Sequence, residues 1–311
     1  MKRKRIAILG IGAVGGYLGA LLAERYSGGS DVEVIFVARG KTAEIIREKG
    51  LKLITPSGEK IARPHLVTND PDEIAHIDIL ICCVKSYDLE ESLLSYKKCI
   101  DENTIIIPLL NGVDAKQRIS TLFPGAEVWN GCVYIISRIL EPGVIKESGN
   151  VHIFYLGNKD AEQEKPELVH RLFSDAGIDA RLSEDIELTC WEKFIFISVV
   201  ASATSYFDKA IGPILDEKNC LALVKQLLSE IKTVADAKGI CFGFDIEEET
   251  IAKMKRMPYE TTSSMHSDFQ KGGKTELRSL TEYVVEAGKL LEIKLPGYEM
   301  VLDTLKRKKE K

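Results

Sequence analysis

The stretch Ile6-Ala7-Ile8-Leu9-Gly10-Ile11-Gly12-Ala13-Val14-Gly15-Gly16 constrains this chain more than any other. A basic start, Lys2 to Arg5, leads into four apolar residues, which read as a buried parallel strand. The glycines that follow read as the turn opening a helix from Ala13 to about Tyr26. Gly10 permits the tight turn, Gly12 lets backbone N–H groups approach a pyrophosphate, and Gly15 lets helix and strand pack closely. The helix N-terminus, with Ala13 and Val14, supplies unpaired donors and partial positive charge for an anion. The spacing therefore predicts a dinucleotide-binding unit at the start of the chain.

The next strand, Val32–Val37, ends in Ala38-Arg39-Gly40. NAD enzymes usually place an acid here for the ribose 2′-hydroxyl, whereas an arginine suits a 2′-phosphate. No acid stands at this strand end, so Arg39 favours NADP(H) over NAD, against the plainer reading of a surface arginine. Two further strands end in polar residues. Asp78–Val84 is followed by Lys85-Ser86, and Thr104–Leu110 by Asn111-Gly112. Ligands of open α/β sheets bind at these carboxyl ends. Lys85 and Asn111 are therefore candidates, although an asparagine before glycine also suits an ordinary turn.

Two short β runs flank Pro56-Ser57-Gly58, and Ser27–Ser30 reads as a loop. The stretch from Glu127 to Leu156 is β-rich and reads as antiparallel strands closing the far edge of the sheet: Val128–Ser137, Gly143–Glu147 and Val151–Gly157. A helix at 162–175 and a strand at 178–182 complete this part. Strands then stop, and helical patterns follow over 185–206, 217–238, 246–256, about 262–291 and 297–309. The fold expected is an α/β Rossmann-type domain (1–183) followed by an all-helical C-terminal domain (184–311). A hinge near 180–186 would allow closure over a substrate.

Composition excludes several classes. The 311 residues carry a formal net charge of −5, with short basic clusters only at the ends (Lys2–Arg5 and Lys306–Lys311), so no basic field argues for nucleic acid. No apolar run approaches the roughly 18 residues of a membrane span. The seven cysteines form no C-x-x-C pair, which suits reduced, mostly buried thiols in a cytoplasmic protein. The five histidines are scattered, with no metal-ligand pattern. Apolar faces on the later helices would suit a homodimer.

The helix from Asp185 is apolar on nearly every face, yet carries Trp191-Glu192-Lys193 near its head. Burial lowers an ammonium pKa and suits proton donation, while a snorkelling lysine at a helix end is the plainer alternative. Further on, Thr262–Asp268 reads as a polar helix start with Ser264 and Asp268 on one face. Gly272-Gly273 then make a loop before Thr275-Glu276 and a new helix.

In this order the residues resemble the ketopantoate reductase (2-dehydropantoate 2-reductase) family: G-x-G-A-x-G, arginine ending strand two, K-S, L-N-G, W-x-K, then S-S-M-x-x-D and T-E. The resemblance runs from Gly10 to at least Glu276. It implies NADPH-dependent reduction of a small 2-oxo acid, 2-dehydropantoate, to pantoate, toward pantothenate and coenzyme A, in a site between a Rossmann and a helical domain. It also implies roles. Lys193 would protonate the ketone oxygen, and Glu276 would be its acidic partner. Ser264 would bind the substrate carboxylate, and Asn111 would lie between nicotinamide and substrate. Arg39 and Lys85 would lie by the cofactor.

This chain also departs from the family. Asparagines four and eight residues after the lysine are Ile197 and Ala201 here, a third is Ile211, and T-E-I-D is Thr275-Glu276-Leu277-Arg278. Each lost polar contact removes roughly 1–3 kcal/mol. Ser198 and Ser202, about 100° round the helix, are expected to compensate through a shifted pose. Two alternatives stay open: a reductase of a more apolar 2-oxo acid, and a non-catalytic NADP-binding sensor.

Overall fold

A computed structural model describes residues 3–28, 31–161 and 164–309. Lys2 of the basic start, Gly29 and Ser30 of the expected loop, Glu162 and Gln163 of the expected helix, and the terminal Glu310 and Lys311 lie outside the described residues. Contacts divide the chain into two compact units. One comprises Met1–Leu110 with Asp114–Ile186, the other Asn111–Val113 with Glu187–Lys311.

The first unit contains β1 (Lys4–Leu9), α1 (Ala13–Tyr26), β2 (Val32–Val37), α2 (Gly40–Lys49), β3 (Leu51–Thr55), β4 (Gly58–Ala62), β5 (Leu66–Thr68) and β6 (Ile79–Cys82). It continues with α3 (Leu89–Ser95), β7 (Ile105–Pro108), α4 (Ala115–Leu122), β8 (Glu127–Val128), β9 (Asn130–Glu141), β10 (Val144–Gly157), α5 (Glu164–Asp175) and β11 (Asp179–Leu182). Six parallel strands form one sheet in the order β5-β2-β1-β6-β7-β8. The chain steps from β1 to β2 on one side and returns to β6 on the other. The glycine turn after β1 thus stands where the strand order reverses, the place such sheets bind ligands.

Successive residues of β1 alternate between two cores. Ile6 and Ile8 face α1, while Ala7 and Leu9 join Leu89, Leu93 and Ile119 from α3 and α4. On the α1 side the structure corrects an expectation. The stretch 127–157 does not close the first sheet with antiparallel strands. Only β8 joins that sheet, as a parallel edge strand.

The runs Gly143–Glu147 and Val151–Gly157 are one strand, β10. It pairs antiparallel with β9 at Val144–Glu147 and again at His152–Gly157, across a register shift, and parallel with β3 and β11 on its other side. The hairpin β3–β4 completes this second sheet, in the order β11-β10-β3-β4. The physical reason is α1 itself. Its small residues leave both sides needing cover, and Ile145, Phe154 and Leu156 of the second sheet supply it in the same core as Ile6, Ile8 and Phe36. A Cβ on Gly16 would stand 2.6 Å from Ile145 Cγ1, and one on Gly19 would stand 2.8 Å from the Phe36 ring.

The second unit is helical: α6 (Ile186–Phe207), α7 (Ile211–Asp216), α8 (Lys218–Ala237), α9 (Ile246–Arg256), α10 (Ser264–Gln270), α11 (Tyr283–Leu290) and α12 (Pro296–Lys309). The periodicity did not reveal α7. The pattern over 262–291 breaks at Gly272, whose φ is +64°, and a π-helical turn, Arg278–Glu282, leads into α11. Asp245 caps α9 by accepting from the N–H groups of Glu247 and Glu248. The core gathers around α6, where the Trp191 and Phe194 rings meet edge-on at 5.4 Å and both reach Tyr283. No disulfide links the seven cysteines, of which Cys241 is exposed and the others are buried or half-buried. Among the described residues no helix is long and apolar enough to cross a membrane.

Candidate active site

The glycine turn is built as its spacing requires. Gly10 has φ +96°, a conformation that side chains disfavour. A Cβ on Gly15 would stand 2.1 Å from the Gly10 carbonyl oxygen and 2.8 Å from Cys83 Cβ, so helix and strand ends can meet only through glycine here. Burial pushes the Cys83 thiol up to about 12, which keeps it a neutral packing group. Gly12 is different. It caps α1 with no side-chain hydrogen bond, and a Cβ there would meet nothing within 4 Å. The first turn of α1 carries no acid. Open space, first-turn N–H donors without intrahelical partners and a bare helix dipole together fit a pyrophosphate. At the end of β2, Arg39 caps α2 and is exposed, with no hydrogen bond or ion pair among the described residues. A guanidinium held this way is available to an anionic ligand.

Lys85 follows the carboxyl end of β6, is exposed and starts a short 3-10 turn. A residue that the sequence did not single out holds this turn. Arg118 of α4 donates to both carboxylate oxygens of Glu90 at 2.7 Å, to the Ser86 carbonyl at 2.6 Å and to Asp114 at 3.2 Å. Its fork ties the loop after β6 to the loop after β7. The only local signal was the Asp114–Arg118 spacing of four.

Asn111 follows β7, and Asn111–Val113 belongs to the helical unit, where Val113 packs against the core. Lys193, in the second turn of α6, donates to Asn111 Oδ1 at 3.1 Å. The fold thus joins two of the candidates across 82 positions of sequence. Burial pushes the neighbouring Glu192 carboxyl up, with Lys253 opposing. Glu276 is 3% exposed and stands immediately before the helical turn that begins at Leu277. Its carbonyl accepts from Leu280 N at 3.1 Å and from Ser279 Oγ at 3.2 Å. The π turn that follows is a geometry often found at functional sites. Ser264 is exposed as the first residue of α10. The preceding Ser263 caps that helix, accepting from His266 N and sharing a hydrogen bond with Thr204 of α6.

The three apolar departures differ in setting. Ala201 (2% exposed) and Ile211 (1%) lie in the helical core, while Ile197 keeps part of its surface exposed. The expected compensation by Ser198 and Ser202 is overturned. Both are fully buried, and both hydroxyls are engaged within the helical unit, by Leu280 and Tyr298 for Ser198 and by Thr281 for Ser202. A step of about 100° round α6 turns them into the protein rather than toward a ligand.

A nucleotide-type turn on a doubly wound sheet, with a lysine–asparagine pair on the helical unit, defines a dinucleotide-binding protein of two units. Residues 6–160 match the family described as ketopantoate reductase PanE/ApbA, and residues 185–309 match its C-terminal counterpart. The chain belongs to the ketopantoate reductase family. It is 30% identical to the uncharacterized oxidoreductase YkpB of Bacillus subtilis over 97% of each chain. It resembles the crystal structure of 2-dehydropantoate 2-reductase from Porphyromonas gingivalis W83, with TM-score 0.84 and 36% identity over 97% of this chain and 99% of that one. The fold is shared with a D-mandelate dehydrogenase seen in a ternary structure with NADH and anilino(oxo)acetate, with TM-score 0.85 and 22% identity over 98% of each chain.

Proposed function

We propose that this oxidoreductase reduces a 2-oxo acid to the 2-hydroxy acid with NADPH, with 2-dehydropantoate as first candidate and pantoate as its product. The observation that carries the reading is the Lys193–Asn111 hydrogen bond, in a chain whose second strand is followed by Arg39, which has no ion pair among the described residues. Residues 1–183 hold the cofactor and 184–311 the substrate and the acid. NADPH, when bound, would supply the hydride that adds to the carbonyl carbon. Charge then develops on the carbonyl oxygen, and an ammonium beside it stabilises and protonates it. Lys193 gives that proton, Asn111 Oδ1 orients the ammonium, and Glu276 is its acidic partner. The Ser264 hydroxyl binds the substrate carboxylate. The Gly10–Gly15 turn takes the pyrophosphate, with Arg39 and Lys85 on the cofactor's other charged groups. Such a reaction belongs in the cytoplasm, where the thiols stay reduced.

Cofactor choice gives a direct test. Arg39→Ala is expected to weaken NADPH by about 10- to 100-fold, the worth of one or two charge-assisted hydrogen bonds, and to leave NADH little changed. Fluorescence titration with both cofactors measures it. Equal weakening of the two would remove the 2′-phosphate assignment. A second reading, a more apolar 2-oxo acid, is favoured by Ile197 and by the burial of Ala201 and Ile211, which offer no polar group at three positions. Comparison of kcat/KM for ketopantoate with that for 4-methyl and phenyl 2-oxo acids separates the two.

A further inference from the structure

Ser198 and Ser202 stand five and nine residues after Lys193 on α6, and neither has exposed surface. Ser198 Oγ donates to the Leu280 carbonyl at 2.8 Å. With its one proton so used, it accepts from the Tyr298 hydroxyl, also at 2.8 Å. Ser202 Oγ shares a 2.8 Å hydrogen bond with Thr281 Oγ1. Leu280 and Thr281 are the middle of the π turn Arg278–Glu282, and Leu280 N donates to the Glu276 carbonyl. Two hydrogen bonds therefore connect the helix that carries Lys193 to the backbone of Glu276. Tyr298 is itself fixed. The Gly297 and Tyr298 N–H groups donate to the Glu230 carboxylate at 2.8 and 2.9 Å, and the phenol is fully buried.

Hydroxyls that only satisfied one another inside a helical core could lie anywhere along α6. These two instead clamp one irregular turn, four and five residues after Glu276. A π turn closes i→i+5 rather than i→i+4 and recurs at functional sites, so what holds its register bears on the residues beside it. We propose that Ser198 and Ser202, with Tyr298 and Thr281, are positioning residues that set the register of the π turn on α6 and so the place of the Glu276 carboxylate relative to the Lys193 ammonium. The inference rests on the reading of Lys193 as acid and Glu276 as its partner.

Shape-preserving variants test it. Thr281→Val and Tyr298→Phe remove a hydroxyl without opening a cavity, and Thr281→Ser keeps the hydroxyl. In the full-length protein with NADPH and the best 2-oxo acid, Thr281→Val and Tyr298→Phe are expected to lower kcat by about tenfold, since displacements near 1 Å can cost still more. KM for NADPH stays unchanged, and the isotope effect with 4-deuterated NADPH rises. Thr281→Ser restores kcat. A wild-type kcat in both Thr281→Val and Tyr298→Phe would overturn the inference, as would equal impairment of Thr281→Ser and Thr281→Val. Lys193→Ala serves as the control. If it is active, the underlying reading fails. If it is inactive while Thr281→Val and Tyr298→Phe turn over normally, only the positioning role fails.

Discussion

Lys193→Ala is expected to lower kcat by about 10²- to 10⁴-fold while NADPH still binds and the protein still folds. The range is what a positioned general acid contributes, and it corresponds to about 3–5 kcal/mol of barrier. Folding should survive because Lys193 is only half-buried, and Asn111, which accepts from it, keeps part of its surface exposed and so can turn to water. The arginine variant sharpens the test. A guanidinium keeps the positive charge but does not release its proton near neutrality. Lys193→Arg should therefore remain far below wild type despite restoring the charge. Steady-state kinetics with both variants, together with cofactor titration, measure this. Near-wild-type turnover in Lys193→Ala would remove it as the acid.

The second large effect separates two glycines three positions apart. Gly15→Ala would place its Cβ 2.1 Å from a backbone oxygen, and neither the β1 end nor the α1 start can yield without disturbing the core between the two sheets. Overpacking of this kind costs about 1–3 kcal/mol and sometimes more, so a lowered Tm and loss of soluble expression are expected. Gly12→Ala should do the opposite. Its φ of −90° suits alanine, and its Cβ would meet nothing within 4 Å. Its Tm should stay at the wild-type value while the Kd for NADPH rises by about tenfold or more, because the methyl occupies the place a pyrophosphate needs. Thermal melts with and without NADPH read both variants. A Gly12→Ala protein that binds NADPH normally would contradict the placement of the cofactor.

Much of this was legible in the residues. The glycine spacing marked α1 from Ala13 to Tyr26, and the structure has those bounds. The pattern over 246–256 likewise became α9. Local rules reach this far because strand, turn and helix start lie within a few residues of one another. They do not reach partner choice in sheets. A β-rich pattern marked Glu127 to Leu156 as strand, but nothing in it says that Val144 pairs with Lys52 in a second sheet rather than at the edge of the first. Arg118 was illegible for the same reason, since Ser86 and Glu90 lie about thirty residues before it. Ser198 and Ser202 were misread because an apolar helix with two hydroxyls looks like one that offers them to a ligand. The π turn that takes them has no sequence signal of its own.

The most direct test of the account is NADPH oxidation at 340 nm by the purified protein across a panel of 2-oxo acids, with NADH run in parallel. The panel spans ketopantoate, short branched 2-oxo acids and aryl 2-oxo acids. The expected result is turnover with at least one of them, faster with NADPH than with NADH and abolished in Lys193→Ala. Binding of NADPH with no oxidation by any 2-oxo acid would contradict it.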